Sequence, residues 1–235
     1  MRALSLAMLT VSLGAEAATA NELATAAPQP MNFAVSHNGQ PIGHHTLTIV
    51  RDGDSQIVTV NIEFAVRMMG VAVYRYSHHS REVWRGERLQ SLVARTNDNG
   101  TGHVVRATRH GDNLEVDRVE APVTAVAASL EQVSPEGSRS ASDIVPGNLL
   151  TTSHWNPRQP AQSVLLHTQF GTPSHVQVSN LGRDSVRTSQ RTVLATRCRY
   201  AGDVRFDQWY DESGRWVKAA FTAHDGSTIE YTLQE

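Results

Sequence analysis

The side chains with most to offer chemically are histidines, eleven of them in 235 residues. Two adjacent pairs, His44-His45 and His78-His79, carry the nitrogen donors of a metal site. On an extended chain, however, neighbouring side chains leave on opposite faces, so neither pair can chelate one ion. A site would need His78 joined by His44 or His103 from neighbouring strands. The reading adopted is surface or half-buried imidazoles, with no metal and no cofactor. Full protonation would carry the net charge from −2 toward +9, so acid-dependent association with an anionic surface is expected.

Other reactive types are sparse. Cys198, the single cysteine, cannot form an internal disulfide. It stands between Arg197 and Arg199, cations that could lower its pKa. On a strand both point away from it, which makes Cys198 a small half-buried residue. All basic residues but Lys218 are arginines, able to grip phosphate or carboxylate bidentately or simply reflecting a G- and C-rich genome. Asp207, Asp211, His154 and His224 could supply acid and base groups from separate strands, though nothing in their spacing favours it. No G-x-S-x-G elbow, H-E-x-x-H helix or phosphate-binding G-x-x-x-x-G-K occurs. Gly100-Thr101-Gly102 runs into His103-Val104-Val105 and leaves the dinucleotide fingerprint incomplete. The chain reads as a non-enzyme. Tyr74, Tyr76, Trp84, Trp155, Trp209 and Trp216 are the candidate lining of a ligand groove, in competition with ordinary core packing.

The elements that must position these residues are strands. Val58, Val60, Ile62, Phe64, Val66 and Met68 alternate with Thr59, Asn61, Glu63, Ala65 and Arg67, the period-two signature of a half-buried strand. Met31, Phe33 and Val35 alternate likewise before Asn38-Gly39, a strong hairpin signal. Further glycine-centred turns recur, mostly 10 to 15 residues apart, as in an antiparallel meander. The fold class is all-β: a large, curved antiparallel sheet or open half-barrel, with a short helical or irregular insert in the middle.

That insert is placed at about 120–162. Val123, Val126, Leu130 and Val133 fall near helical spacing after Pro122, and Asn148 to Trp155 allow one or two helical turns before Asn156-Pro157. A split into two domains there would leave each half exposing a sheet face, so residues 31–235 are read as one β-domain.

Near the C-terminus, His224-Asp225-Gly226 suits a three-residue loop pairing Ala223 with Ser227. Phe221 then faces Ile229, Ala219 faces Tyr231 and Val217 faces Leu233, all on one side. For the preceding turn, a four-residue loop pairing Trp209 with Trp216 is preferred over a three-residue loop moving Trp209 to the Val217 face. Both faces of this hairpin would then be partly apolar, and something must cover it or bind to it.

Residues 1–20 read as a cleaved signal peptide. Met1-Arg2 precedes an apolar run from Ala3 to Gly14, and Ala15-Glu16-Ala17 and Ala18-Thr19-Ala20 offer small-x-small cleavage sites. The run is too short to span a bilayer, which needs roughly 20 residues. No cysteine stands at those sites, which excludes a lipoprotein anchor. Residues 21–30 form a flexible leader, and no transmembrane segment is expected after signal removal. The net charge of −2 lacks the basic surplus of a nucleic-acid binder. Periplasmic or secreted localisation follows.

Several stretches together carry a family likeness. They are N-G-Q-P-I-G-H-H (Asn38 to His45), Y-R-Y (Tyr74 to Tyr76), E-V-W (Glu82 to Trp84), T-N-D-N-G (Thr96 to Gly100), T-T-S-H-W-N (Thr151 to Asn156), W-Y-D-E-S-G-R-W-V (Trp209 to Val217) and D-G-S-T-I-E-Y (Asp225 to Tyr231). In combination the chain resembles an uncharacterised bacterial exported family, domain-of-unknown-function family six-one-three-four. His167 departs from it, standing where that family would place an acidic residue, so no polar role is carried over there. The resemblance implies exported β-structure and no reaction. More loosely, the closing motifs are similar to the periplasmic half-barrels that carry lipoproteins or lipids. The functional expectation is a non-enzymatic binder of an apolar or amphipathic, lipid-like ligand on a concave sheet. The alternative is an envelope structural or assembly protein with a protein partner, and an enzyme comes third.

Overall fold

The computed structural model describes residues 30–124, 138–223 and 225–234. The signal, the flexible leader, most of the helix anticipated after Pro122, and His224 lie outside the described residues. The chain first runs as a meander of β1 (Met31–His37), β2 (Gln40–Asp52), β3 (Ser55–Met68), β4 (Val71–Arg85), β5 (Arg88–Asp98), β6 (Thr101–His110), β7 (Asn113–Pro122) and β8 (Arg139–Pro146). After the short β9 (Leu150–Thr151) and β10 (Val164–Leu166), it continues through β11 (Pro173–Arg187), β12 (Thr192–Gly202), β13 (Phe206–Asp211), β14 (Trp216–Thr222) and β15 (Thr228–Gln234).

All these strands join one open sheet in the order β8-β7-β6-β5-β4-β3-β2-β1-β15-β14-β13-β12-β11-β10-β9. The two meanders meet where β1 pairs antiparallel with β15; among the described strands only β9 and β10 pair in parallel. The fold is all-β, as the period-two pattern predicts. Its curvature has local causes. Bulges interrupt β1–β2 at Val35/Ser36, β3–β4 at Val66/Arg67, β4–β5 at Val83/Trp84, β11–β12 at Asn180/Arg183 and β13–β14 at Trp209/Tyr210. Each bends its strand and increases the twist. Gly43 lets β2 approach β3, since a Cβ there would lie 2.0 Å from the Glu63 carbonyl oxygen. The curl is strong enough to bring the sheet's opposite edges together at one corner. Pro146 ends β8 on one edge and Leu150 begins β9 on the other, and four residues span at most about 14 Å.

One apolar cluster serves both meanders, from Phe33, Leu47, Val60 and Leu92 to Leu165, Tyr200, Trp216 and Leu233. Two expectations about connections are corrected. Residues 120–162 are not a single link, because β8 pairs with β7 within them. Asn148 to Trp155 form β9 and bends rather than helical turns, and a 3-10 turn at Gln159–Ala161 follows Pro157.

The β14–β15 register is the anticipated one: Phe221 faces Ile229 and Ala219 faces Tyr231, with Gly226 at φ +81. The β13–β14 hairpin follows neither proposed register. It closes with a three-residue loop, in which the Asp211 amide donates to the Arg215 carbonyl at 2.9 Å, and Tyr210 faces Trp216. The bulge then shifts pairing so that Trp209 faces Lys218. Trp216 therefore turns into the core beside Phe33, while Trp209, also buried, packs on the opposite face of the sheet, and no cross-strand tryptophan pair forms.

Candidate functional site

The segment 147–172 returns across the concave side of the sheet and fills much of it. Tyr210 Oη donates to the His154 and Asn156 carbonyls at 2.9 and 3.1 Å, and Gln208 Nε2 donates to the His154 carbonyl at 3.0 Å. Glu82 of β4, fully buried, accepts from Trp84 Nε1 at 2.8 Å and from Trp155 Nε1 at 3.2 Å. Burial pushes its carboxyl pKa up, against the pull of hydrogen bonds from Trp84, Ser153, Trp155 and Thr151. Gly171, at φ +66, packs so closely that a Cβ would lie 3.1 Å from Val105 and Val116.

Between this segment and the sheet a partly open cavity of about 370 Å³ remains. Its apolar wall comes from Ile62, Phe64, Phe206, Phe221 and Tyr231. Its polar wall carries four imidazoles, His45, His78, His154 and His167, with Tyr74, Tyr76, Asp98 and Gln169 on one side, Arg205 on another, and the hydroxyls of Thr152, Ser153 and Thr168. A short chain ties that side together. Tyr74 Oη donates to Asp98 Oδ1 at 2.7 Å, Gln169 Nε2 donates to Asp98 Oδ2 at 3.1 Å, and Tyr76 Oη donates to Gln169 Oε1 at 3.0 Å.

The register explains the convergence. His45 faces Ile62 across β2–β3, and Ile62 faces His78 across β3–β4, so all three share one face. Their sequence neighbours His44 and His79 point the other way, as alternation requires. His154 and His167 arrive from the returning segment. Desolvation dominates all four imidazoles. Burial lowers His78 to about 4, with His167 and His79 adding repulsion; its Nδ1 lies 2.7 Å from Thr96 Oγ1. Burial, and then His167, lower His154 to about 4; burial, and then His103, do the same for His167. His45 is held well below the usual range, chiefly by burial, and neither ring nitrogen finds a partner. Burial raises the Tyr74 and Tyr76 phenols, in Tyr74 with help from Asp98. At neutral pH the wall thus offers uncharged imidazoles and phenols beside the Asp98 carboxyl and the Arg205 guanidinium. The anticipated charge gain is corrected accordingly: four of the eleven histidines stay neutral in mild acid.

Of the six aromatic residues proposed from sequence, Tyr74 and Tyr76 line the cavity. The tryptophans do other work. Trp84 and Trp155 meet edge to face at 5.6 Å over Glu82, and Trp216 stacks on Phe33 at 3.9 Å in the core. Trp209 lies on the opposite face of the sheet between Arg197 at 5.0 Å and Lys218 at 5.2 Å, with Nε1 donating to Asp184. Of the proposed acid–base set, His224 lies outside the described residues and both aspartates are engaged elsewhere. Asp207 is clamped by Arg197 and Arg199, which lower its pKa, and Asp211 closes its own turn through Ser213 and Arg215. Cys198 is buried and its thiol is pushed up by desolvation. Many arginines pair with carboxylates, as in Arg85–Asp54, Arg118–Asp143 and Arg183–Glu212. Among the described residues, no three His, Cys, Asp or Glu come together to hold a metal ion. His45, His78, His154 and His167 were missed as a group. Alternation against Ile62 and Phe64 could have placed His45 and His78, but nothing in the sequence locates the returning segment.

The model of a family described as Domain of unknown function (DUF6134) matches residues 33–234. No curated protein matches the chain.

Proposed function

This chain belongs to the family described as Domain of unknown function (DUF6134), and from that premise we propose that it is an exported, non-enzymatic binding protein holding a small amphipathic molecule inside its curled sheet. The observation that carries the reading is the cavity of about 370 Å³, with apolar, largely aromatic side chains on one wall and four neutral imidazoles among the polar groups of the other. Such a size falls within the range of ligand sites, roughly 300–1,000 Å³. At about 30 Å³ per water-sized unit, it accommodates about a dozen heavy atoms. That favours a medium-chain amphiphile over a whole phospholipid or a lipoprotein anchor. The neutral histidines, Tyr76 and Gln169 suit a polar head group, and Ile62, Phe64, Phe206 and Phe221 suit its tail. Export rests on the N-terminal charge, apolar run and small-residue cleavage sites.

Decanol and decanoate titrated by calorimetry test this reading. Saturable one-to-one binding is expected for at least one of them. Ala219 is buried and lines the cavity, so Ala219→Leu, which fills space, is expected to weaken binding at least about tenfold. Absence of binding to both amphiphiles, or equal binding by the variant, overturns it. A second reading, an assembly protein that accepts a partner strand, is favoured by the largely exposed strand β8 at the sheet edge. Cross-linking in intact cells to one dominant partner through β8 would favour that role.

A further inference from the structure

The hairpin joining β3 to β4 ends in a way that fold stability alone does not explain. Met68, Met69, Val71 and Val73 are all exposed there, Met69 fully, at 103%. The turn has both central residues at positive φ, Met69 at +50 and Gly70 at +83. Two other hairpins of the same sheet use this conformation, and both put asparagine first: Asn38-Gly39 and Asn99-Gly100. Asparagine tolerates the left-handed region, whereas methionine is rarely found there. The chain thus holds an apolar side chain at a position where it is both strained and unshielded, and strain of that kind points toward function.

Charge at the flanks narrows what the tip meets. Arg67 and Arg75 are exposed on either arm, and among the described residues neither pairs with a carboxylate, in contrast to arginines such as Arg85 and Arg183. Arg67 instead donates to the Gly70 carbonyl at 3.0 Å, bracing the turn. An apolar end collared by two unpaired guanidinium groups complements the boundary between acyl chains and anionic head groups. The same hairpin supplies Phe64, Tyr74 and Tyr76 to the cavity wall, while Val71 and Val73 alternate with those tyrosines and lie exposed on the other face.

We propose that the β3–β4 tip is a membrane-docking element, inserting Met68, Met69, Val71 and Val73 into an anionic lipid surface with Arg67 and Arg75 at head-group level. The proposal goes beyond ligand binding and stands without it. Vesicles of phosphatidylcholine, with and without phosphatidylglycerol, provide the test at neutral pH. Sedimentation is expected to show salt-sensitive binding, stronger to the anionic vesicles. Met69→Asn restores the turn residue used elsewhere in the sheet. It is expected to leave the melting temperature equal or higher while reducing vesicle binding at least about tenfold. Met69→Trp is expected to shift its emission to the blue on vesicle addition. Decanol and decanoate titrations of Met69→Asn should match those of the unaltered protein, which separates failure of docking from failure of the cavity. The proposal is overturned by absence of vesicle binding, by undiminished binding of Met69→Asn, or by a dimer in analytical ultracentrifugation that Met69→Asn dissociates.

Discussion

An imidazole held neutral by burial ties the stability of this protein to pH with a definite sign. His78, His154 and His167 titrate at about 4 in the folded chain, against roughly 6.5 when unfolded. Between those values the unfolded state binds more protons, so stability is full near pH 7 and is lost as the pH falls from about 6.5 through 4. Each such group is worth on the order of 3 kcal/mol, less in sum because the sites repel one another. Glu82 acts oppositely, since its raised pKa favours the folded state in acid. The melting temperature is expected to drop steadily across that window, with the histidines outweighing the single carboxyl. Residue 154 sits at φ +68, so His154→Asn keeps a tolerated backbone, and a shallower decline is expected in scanning fluorimetry. An unchanged slope would remove His154 from this account. The pairing of histidines with opposite strand faces was legible from alternation. Their shared desolvation was not, because it arises from residues 147–172 closing over them.

Strands and turns show where pattern suffices and where it fails. The alternation from Val58 to Met68 and the Asn38-Gly39 and Asn99-Gly100 turns all appear as the sequence implies. The Met69-Gly70 turn carries no such signal, since its apolar residues mimic strand. Bulges are equally silent, and one of them decides that Trp216 enters the core while Trp209 faces Arg197 and Lys218. Gly43 shows how close packing, rather than turn geometry, can require glycine within a strand. A Cβ there would meet the Glu63 carbonyl oxygen at 2.0 Å and Phe64 Cβ at 2.5 Å. Gly43→Ala is therefore expected to destabilise by more than about 2 kcal/mol in urea titrations. Gly53, at φ +58 with open space around it, makes the contrast: Gly53→Ala should cost only about 1 kcal/mol. Equal effects would show that strand approach at Gly43 is relaxed in solution.

At the scale of the molecule, both meanders share one core and one returning segment. Trp84 and Trp155 report on the first meander and that segment, and Trp216 on the second meander where it stacks on Phe33 of the first. Tryptophan emission and far-ultraviolet circular dichroism are expected to trace a single coincident urea transition. Two separated transitions would mean that the halves unfold independently. Composition and periodicity by themselves determined an all-β chain of long antiparallel strands, because side-chain alternation is a local property that any window of residues displays. Only the tertiary structure decided that the sheet curls until its edges approach near Gly147, that four distant histidines share one cavity wall, and that the aromatic set divides between cavity, core and the opposite face of the sheet. Those outcomes depend on bulge positions and on a segment crossing far from its sequence neighbours, and such long-range geometry leaves no periodic trace in the chain.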